Sequence, residues 1–400
     1  MNEQQHNRWI IHADLDAFFA AVAVLERPEL AGLPVLVGGS PTGRGVVSSA
    51  SYEARAFGVR SAMPMAQALR LCPHAIVTGV SSARIRDLSQ RFQGILRDYS
   101  PLVEVVSVDE AYLDASGSER LFGGAEHIAS EIKRRVRAEL GLVVSLGVAT
   151  NRLVAKIASE LDKPDGLRVV LPGQEAATLA PLPVGSVPGI GPKTAARLRH
   201  YGLATLGELA AAPESLLALV AGEDAAHLRR LARGEDERPI RGERDARKSI
   251  GHERTFARDR RGLAELEAPL FALCQETGMA LRRKGLAGQT VCLKLRYNDF
   301  TTITRQLALS QPTDAHQQIF AAARALLSGA LHERAAPVRL IGVRVSNLAQ
   351  PALQLGLFDD RLQRTRRLNA ALDQLAERSG GPVVTPARYV RPAKNLEVDQ

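Results

Sequence analysis

The sequence lacks several features that would assign the chain to common protein classes. Its 400 residues contain no run of about eighteen or more apolar side chains, so no membrane-spanning helix is expected. Met1 to Trp9 are polar and lack the apolar stretch of a signal peptide. The three cysteines, Cys72, Cys274 and Cys292, have no C-x-x-C spacing, which excludes a four-thiolate zinc site. We therefore expect a chain that works in the reducing cytoplasm.

Acidic residues are also the minority among the charged side chains. Lys and Arg total 52 against 43 Asp and Glu, which gives a formal net charge of +9. Most of the basic residues are Arg, whose planar fork matches phosphate well. The excess favours a polyanionic partner only modestly, because many basic proteins bind no nucleic acid. The length implies roughly two to four domains, since a single core rarely grows to this size.

Hydrophobic periodicity predicts helices mixed with a largely antiparallel sheet in the first 165 residues. Strand patterns at 8–15 and 143–148 accompany a hairpin at 103–113, which carries Asp109 and Glu110 at its tip. Shorter strands are predicted at 34–38 and 46–49. Helical patterns occupy 17–26, 51–57, 64–71, 82–99, 125–140 and 152–161. The breaker Lys163 to Gly166 marks a plausible domain edge.

The second half of the chain changes character twice. Residues 181–233 are predicted to be all helical, and the arginine-rich residues 235–261 resemble a tether. Helices at 263–284 and 314–331 then alternate with strands as far as residue 349, and a further helix is predicted at 361–376. In the strand at 290–297, apolar residues share one face, whereas Lys294 and Arg296 share the other. A sheet with an open cationic face suits a groove binder.

Three acidic residues are the most informative feature. Asp14 ends the first strand, and Asp109 and Glu110 form the hairpin tip. Carboxylates that converge repel one another unless cations join them. Hard oxygen ligands suit Mg²⁺, and two such ions about 4 Å apart promote phosphoryl transfer. Each acidic residue taken alone is better explained as a solvated turn residue, so the inference depends on their combination.

Four motifs resemble those of the Y-family DNA polymerases. Residues 12–20 (HADLDAFFA) are similar to the opening motif, residues 107–114 (SVDEAYLD) to the second metal motif, residues 51–59 (SYEARAFGV) to the fingers and residues 156–166 (KIASELDKPDG) to the end of the palm. Order and spacing agree over about residues 8–350. The group that the sequence most resembles is the DinB or DNA polymerase IV type.

The resemblance implies an α+β, multidomain right-hand fold. Its parts would be a palm at 1–20 and 76–166, fingers at 21–75, a helical thumb at 167–234 with a helix-hairpin-helix, a basic tether at 235–248, and a βαββαβ little finger at 249–349. Residues 350–400 would hold a clamp-binding peptide and a tail. We expect a monomer that binds primer-template DNA and deoxynucleotides.

The resemblance also assigns roles to individual residues. Two Mg²⁺ ions would be held by the carboxylates of Asp14, Asp109 and Glu110, which would be the catalytic residues, and by the backbone carbonyl of Leu15. Tyr52, Arg55 and Lys163 would grip the triphosphate, and Phe18 and Phe19 would lie at the nucleotide. Phe19 would be the steric gate that excludes a 2′-hydroxyl. Without the family register, Phe18 and Phe19 could be core residues, and Tyr52 and Arg55 a surface pair.

Two positions depart from the family's pattern. Ala23 stands where a glutamate is frequent, and Arg152 where a lysine is common. Neither is among the three carboxylates, so the departures leave the expected chemistry intact and put only details of nucleotide or DNA contact in doubt.

Several segments are predicted to hold DNA. Residues 187–195 (VPGIGPKTA) resemble a helix-hairpin-helix, in which Gly189 and Gly191 allow close approach to a phosphate beside Lys193. The tether and little finger would add cationic contacts from Arg247, Lys248, Lys294 and Arg296. The alternative for such charges is an ordinary solvated face. If about six cations contact phosphates, affinity should fall steeply with salt.

Residues 354–358 (QLGLF) resemble the peptide by which bacterial polymerases dock on the sliding clamp, the β subunit of the replicative polymerase. Gln354, Leu355, Leu357 and Phe358 would fill a hydrophobic groove of that partner. The alternative is an apolar segment packed on the little finger. No role is predicted for the helix and tail that follow.

The sequence therefore predicts error-prone DNA synthesis across damaged templates. No residues remain for a proofreading exonuclease domain, and few bulky aromatic residues occur in the predicted fingers. A non-catalytic scaffold that binds DNA and clamp is the alternative, although all three carboxylates are present. A nucleotide cyclase would explain neither the helix-hairpin-helix nor the tether.

Overall fold

The computed structural model describes residues 8–242, 247–350 and 360–379. Contacts divide the described chain into two compact units, which we treat separately. The first contains the residues up to 242 except 42–44, and the second contains 42–44 and the residues from 247 onward. No helix within these ranges is long and apolar enough to cross a membrane.

A five-stranded sheet forms the centre of the first unit, in the order β5-β6-β1-β7-β8. Its strands are β1 (Ile10–Leu15), β5 (Val103–Val105), β6 (Glu110–Asp114), β7 (Val144–Ala149) and β8 (Leu167–Val169). Only the β7–β8 pair is parallel, so the predicted largely antiparallel sheet is confirmed.

The two faces of this sheet have different partners. Ile11, Ala13 and Leu15 alternate into a core with α4 (Ser82–Arg97) and α6 (Ala125–Arg135). The opposite face lies against α7 (Arg152–Leu161), whose apolar side continues into the helical core beyond it. The predicted helix over 125–140 ends differently, because Val136–Leu140 form a π turn before Gly141.

A second, three-stranded sheet in this unit has the order β3-β2-β4. It consists of β2 (Val35–Gly38), β3 (Val47–Ala50) and β4 (Ile76–Thr78), and the neighbouring helices are α1 (Phe18–Glu26), α2 (Tyr52–Ala56) and α3 (Met65–Leu71). The Ser51 side chain caps α2 by accepting from the N–H of Ala54. All of these elements except β4, which the sequence did not predict, agree with the predicted ones to within about two residues.

Short helices complete this unit. The predicted all-helical region contains α9 (Pro192–His200), α10 (Leu206–Ala211), α11 (Glu214–Ala221) and α12 (Ala225–Ala232). The sequence did not predict α5 (Glu119–Phe122), which precedes α6, or α8 (Glu175–Leu179). Thr205 and Glu208 form a capping box that starts α10.

The second unit is a four-stranded antiparallel sheet with two helices, in the order β11-β10-β12-β9. Its elements run β9 (Ser249–Arg260), α13 (Gly262–Arg282), β10 (Ala287–Tyr297), β11 (Thr302–Thr313), α14 (His316–Glu333) and β12 (Val338–Ala349). The predicted βαββαβ order is confirmed. The charge pattern grouped residues 249–260 with the tether, but they form the edge strand β9, which pairs with β12; this agrees with the little finger that the resemblance implied from residue 249.

The C-terminal helix α15 (Asp360–Ser379) packs on the helices of this unit. Arg282 on α13 donates to Asp373 through Nε at 2.7 Å and Nη2 at 2.8 Å. Gln317 on α14 and the buried Asn369 exchange hydrogen bonds of 2.9 and 3.2 Å. The helix is therefore part of the second unit. The predicted clamp peptide, Gln354 to Phe358, lies outside the described residues.

Candidate active site

The predicted metal-binding carboxylates meet at one end of the five-stranded sheet. Asp14 and Glu110 are directly opposite each other in the antiparallel pairing of β1 with β6, so their side chains project from the same face. The carbonyl of Asp109 accepts a 3.0 Å hydrogen bond from the N–H of Leu15. The fold thus brings together the residues that the sequence singled out at two distant places.

Two lysines neutralise these carboxylates in the structure. Helix α7 packs on β1 and β7 and covers the face that carries Asp14 and Glu110. Lys156 pairs through Nζ with Glu110 Oε1. Lys163, just beyond the helix, donates from Nζ to Asp14 Oδ1 at 2.8 Å. The predicted triphosphate ligand Lys163 therefore lies at the site, and Lys156 is an additional site residue.

His12 supports Glu110 from within the sheet. Its side chain is fully buried, with Nε2 at 2.8 Å from Glu110 Oε1 and Nδ1 at 2.7 Å from Ser159 Oγ. Ser159 Oγ also lies 2.8 Å from the carbonyl oxygen of Lys156. Burial lowers the pKa of His12. Glu110 Oε1 is thus held by a side chain of β1 and by a side chain of α7.

The approach of α7 depends on one glycine. Gly147 on β7 is the register partner of His12, and a Cβ added to it would overlap the backbone of α7 at Ala155 and Ser159. Only a residue without a side chain allows the helix to come this close. This close packing is what brings Ser159 within hydrogen-bonding distance of His12.

The two facing carboxyl groups have opposite electrostatic balances. Burial acts to raise the pKa of Glu110, but the hydrogen bonds from His12 and Lys156 outweigh it and lower that pKa to about 2. At Asp14, burial prevails over the pairing with Lys163 and raises the pKa to about 6. The cationic neighbours of Asp14 therefore stabilise its charged form less than those of Glu110 do.

As arranged, the described residues contain no group of three or more His, Cys, Asp and Glu side chains that could hold a metal ion. The residue types nevertheless suit a hard cation, since Asp14 and Glu110 face each other in register and Asp109 lines the same pocket as Asp14. Lys156 and Lys163 each pair with one oxygen of these carboxylates, Glu110 Oε1 and Asp14 Oδ1.

A small pocket opens beside Asp14 and Asp109, and its lining includes Phe19, Arg55 and Lys163. Phe19 is half-buried. Phe18 also borders the pocket, but its side chain is only 2% exposed and packs in the core between the sheet and α4. The position of Phe19 is compatible with the predicted gate. Phe18 offers little surface to a nucleotide.

Arg55, which lines this pocket, forms a stacked pair with Tyr52. The guanidinium of Arg55 lies over the Tyr52 ring at 4.6 Å, and its Nε donates to the carbonyl of Ala50 at 3.0 Å. The Tyr52 hydroxyl donates to Asp16 Oδ1 at 2.9 Å. The structure therefore shows Tyr52 bonded to a carboxylate that the sequence analysis did not single out.

The structure explains both departures from the family's pattern. Arg152 forms a two-pronged ion pair with Glu104, at 2.9 and 3.2 Å, and stacks on Tyr112 at 4.6 Å. Glu104 also accepts from the N–H of Arg241 at 3.0 Å. Ala23 is buried in a small apolar cluster between α1 and β2. Arg152 and Ala23 thus make contacts within the first unit.

The predicted thumb loop has the geometry of an anion site. Gly189 has a φ of +101°, which favours glycine. Gly191 caps α9, and Lys193 is exposed in its first turn. The free N–H groups of that turn suit a phosphate.

In the second unit, the predicted DNA-binding cations are either exposed or half-buried. Arg247 and Lys248 are exposed just before β9. On β10, Lys294 pairs with Glu253 at 2.9 Å, and Arg296 donates to Thr302 at 3.0 Å. Such exposed pairs are weak, so a phosphate could replace their present partners. The individual DNA contacts stay predictions.

Comparison with known proteins identifies the family. The sequence matches the model of the impB/mucB/samB family over residues 13–160, its C-terminal domain over 247–357 and the IMS family HHH motif over 172–203. DNA polymerase IV of Dehalococcoides mccartyi strain CBDB1 is 43% identical over 384 residues, covering 96% of this chain and 98% of the relative. DNA polymerase IV of Alkalilimnicola ehrlichii is 46% identical over 358 residues, covering 88% and 99%.

Solved structures agree with these matches. A chimera of the Y-family DNA polymerases Dbh and Dpo4 superposes with a TM-score of 0.76 at 28% identity, covering 85% of this chain and 98% of the chimera. DinB from Sulfolobus solfataricus gives a TM-score of 0.58 at 27% identity, covering 84% and 98%. The chain therefore belongs to the Y family of DNA polymerases, and within it to the DinB or DNA polymerase IV type.

Proposed function

We propose that this chain, a DNA-directed DNA polymerase by its family, joins a deoxynucleotide to a primer by attack of the 3′-hydroxyl on the α-phosphate. The observation that carries the proposal is the register of β1 and β6, which sets Asp14 opposite Glu110 beside Asp109. The pocket beside Asp14 and Asp109 is lined by Phe19 and Lys163, and its position next to these carboxylates supports it as the site of the incoming nucleotide. One solved relative is an insertion ternary complex of Dbh DNA polymerase, which supports DNA and a nucleotide as substrates.

Two Mg²⁺ ions would be held by the side chains of Asp14, Asp109 and Glu110 and by the carbonyl of Leu15. When bound, they supply positive charge for the triphosphate and for the attacking hydroxyl. His12 fixes Glu110 Oε1 by a hydrogen bond and so orients this carboxylate for the ion.

Other side chains would act on the nucleotide directly. Lys163 would exchange Asp14 for the triphosphate once ions bind the carboxylate, and Arg55 would bind phosphate oxygens through its fork. Phe19 would lie under the sugar and exclude ribonucleotides.

We further propose error-prone synthesis past lesions, without proofreading, by a monomer that docks on the sliding clamp through Gln354, Leu355, Leu357 and Phe358. Three buried free cysteines support work in a reducing cytoplasm.

Primer extension with purified protein, Mg²⁺ and deoxynucleotides tests the proposal. Glu110→Gln should lower kcat by about a thousandfold. Asp114→Asn, at the far end of the same strand, is the matched control and should extend primers normally. Absence of extension by the wild-type protein while DNA binding persists would support the non-catalytic scaffold instead.

A further inference from the structure

Asp16 is a buried carboxylate at the centre of the candidate site that none of the assigned roles uses. It is 5% exposed and follows the predicted metal ligands by one residue. Oδ1 accepts from the Tyr52 hydroxyl at 2.9 Å, and Oδ2 accepts from Ser145 Oγ and from the N–H of Asp165, both at 2.8 Å. Burying a carboxylate is costly unless its oxygens are hydrogen-bonded, and here three neutral donors satisfy them.

The three donors come from three separate segments. Tyr52 belongs to α2, Ser145 to β7, and Asp165 to the loop after α7 that also carries Lys163. The Tyr52 ring in turn supports the guanidinium of Arg55. Asp16 therefore connects, through one carboxylate, the two places from which cations reach the nucleotide pocket.

From this geometry we infer that Asp16 is a positioning residue for triphosphate binding. Through Tyr52 it holds the side chain of Arg55, and through the backbone of Asp165 it holds the loop of Lys163. Tyr52 acts as a strut in this arrangement, because its single hydroxyl proton is already donated to Asp16. The inference rests on the proposed function and deepens it by naming what fixes the triphosphate ligands.

Steady-state insertion of one deoxynucleotide tests the inference by separating KM from kcat. Asp16→Ala removes both branches and should raise the KM for the nucleotide about tenfold or more, with a smaller change in kcat. Asp16→Asn keeps an acceptor for Tyr52 but points an amide N–H at the N–H of Asp165. It should raise the KM less than Asp16→Ala does, and it preserves the shape should the alanine variant unfold.

A double-mutant cycle isolates the branch through Tyr52. Tyr52→Phe should raise the KM in the wild-type background and have no further effect on Asp16→Ala, because the bond is already lost. The matched control is Asn151→Ala, which removes buried hydrogen bonds to Gly234 and Val154 away from the pocket. It should lower the melting temperature and leave the KM unchanged.

The outcomes are distinguishable. A wild-type enzyme that extends primers, together with an Asp16→Ala variant of unchanged KM, would overturn this inference and leave the proposed function intact. If Asp16→Ala and Tyr52→Phe raise the KM independently, so that their effects multiply in the double variant, Tyr52 does not act through its hydrogen bond to Asp16. A wild-type protein that never extends primers would overturn both.

Discussion

Substitution of Asp373 measures how firmly the C-terminal helix is bound to the second unit. Its carboxylate receives two hydrogen bonds from Arg282, and the two side chains are only 19% and 16% exposed. Breaking a buried ion pair costs about 3–5 kcal/mol, because the remaining charge is left unpaired. Here Arg282 keeps a 2.6 Å bond to the carbonyl of Asp314 and some contact with water. We therefore expect Asp373→Ala to destabilise the helix contact by about 2 kcal/mol.

Hydrogen exchange of residues 360–379, together with urea unfolding, measures this loss. Glu377→Ala is the control on the same helix, because its pair with Arg283 is longer, at 3.4 Å, and its partners are 58% and 50% exposed. Exposed pairs contribute little, so the control should exchange as the wild type does. Equal protection in Asp373→Ala and wild type would refute the assignment of α15 to this unit.

Three further predictions concern other parts of the chain. Phe19→Ala should admit ribonucleotides in primer extension, and unchanged sugar discrimination would show that the gate is misassigned. Burial, with the charge of Arg282, lowers the pKa of His316 from its ordinary value of 6.5 to about 4, opposed by Asp373. Neutral His316 therefore makes its full contribution to the free energy of unfolding above pH 6.5. This contribution should fall by up to about 3 kcal/mol as the pH drops to 4. Urea unfolding across that range should show a flatter profile in His316→Leu. Gly147→Ala should destabilise the first unit by about 3 kcal/mol or more, and a wild-type melting temperature would contradict the close approach of α7.

Much of the candidate site was predictable because its motifs are short and its strands have regular patterns. Asp14 and Glu110 each adjoin a β-patterned segment, and antiparallel pairing of those segments brings them together. The row Arg152, Lys156, Ser159 also has helical spacing. It could have indicated that one side of α7 faces polar groups, although the spacing does not show what those groups are.

Other features depend on contacts that local sequence does not encode. The role of Asp16 requires three donors from distant segments, which no spacing rule brings together. Periodicity alone did not show strand β9, because an edge strand pairs on one side and exposes most of its residues, so its charged sequence resembles a linker; the resemblance to the family implied a strand there. The ion pair of Arg152 with Glu104 likewise joins a helix to a strand far away in the chain.

The attachment of α15 constrains how the segment before it can meet a partner. Strand β12 ends at Ala349, helix α15 begins at Asp360, and both belong to one unit. A peptide at the end of a chain can enter a closed cleft, whereas one that continues into a folded helix cannot. Any protein that binds Gln354 to Phe358 must therefore have a binding groove that is open at both ends, with space for helix α15 next to the end where the peptide leaves.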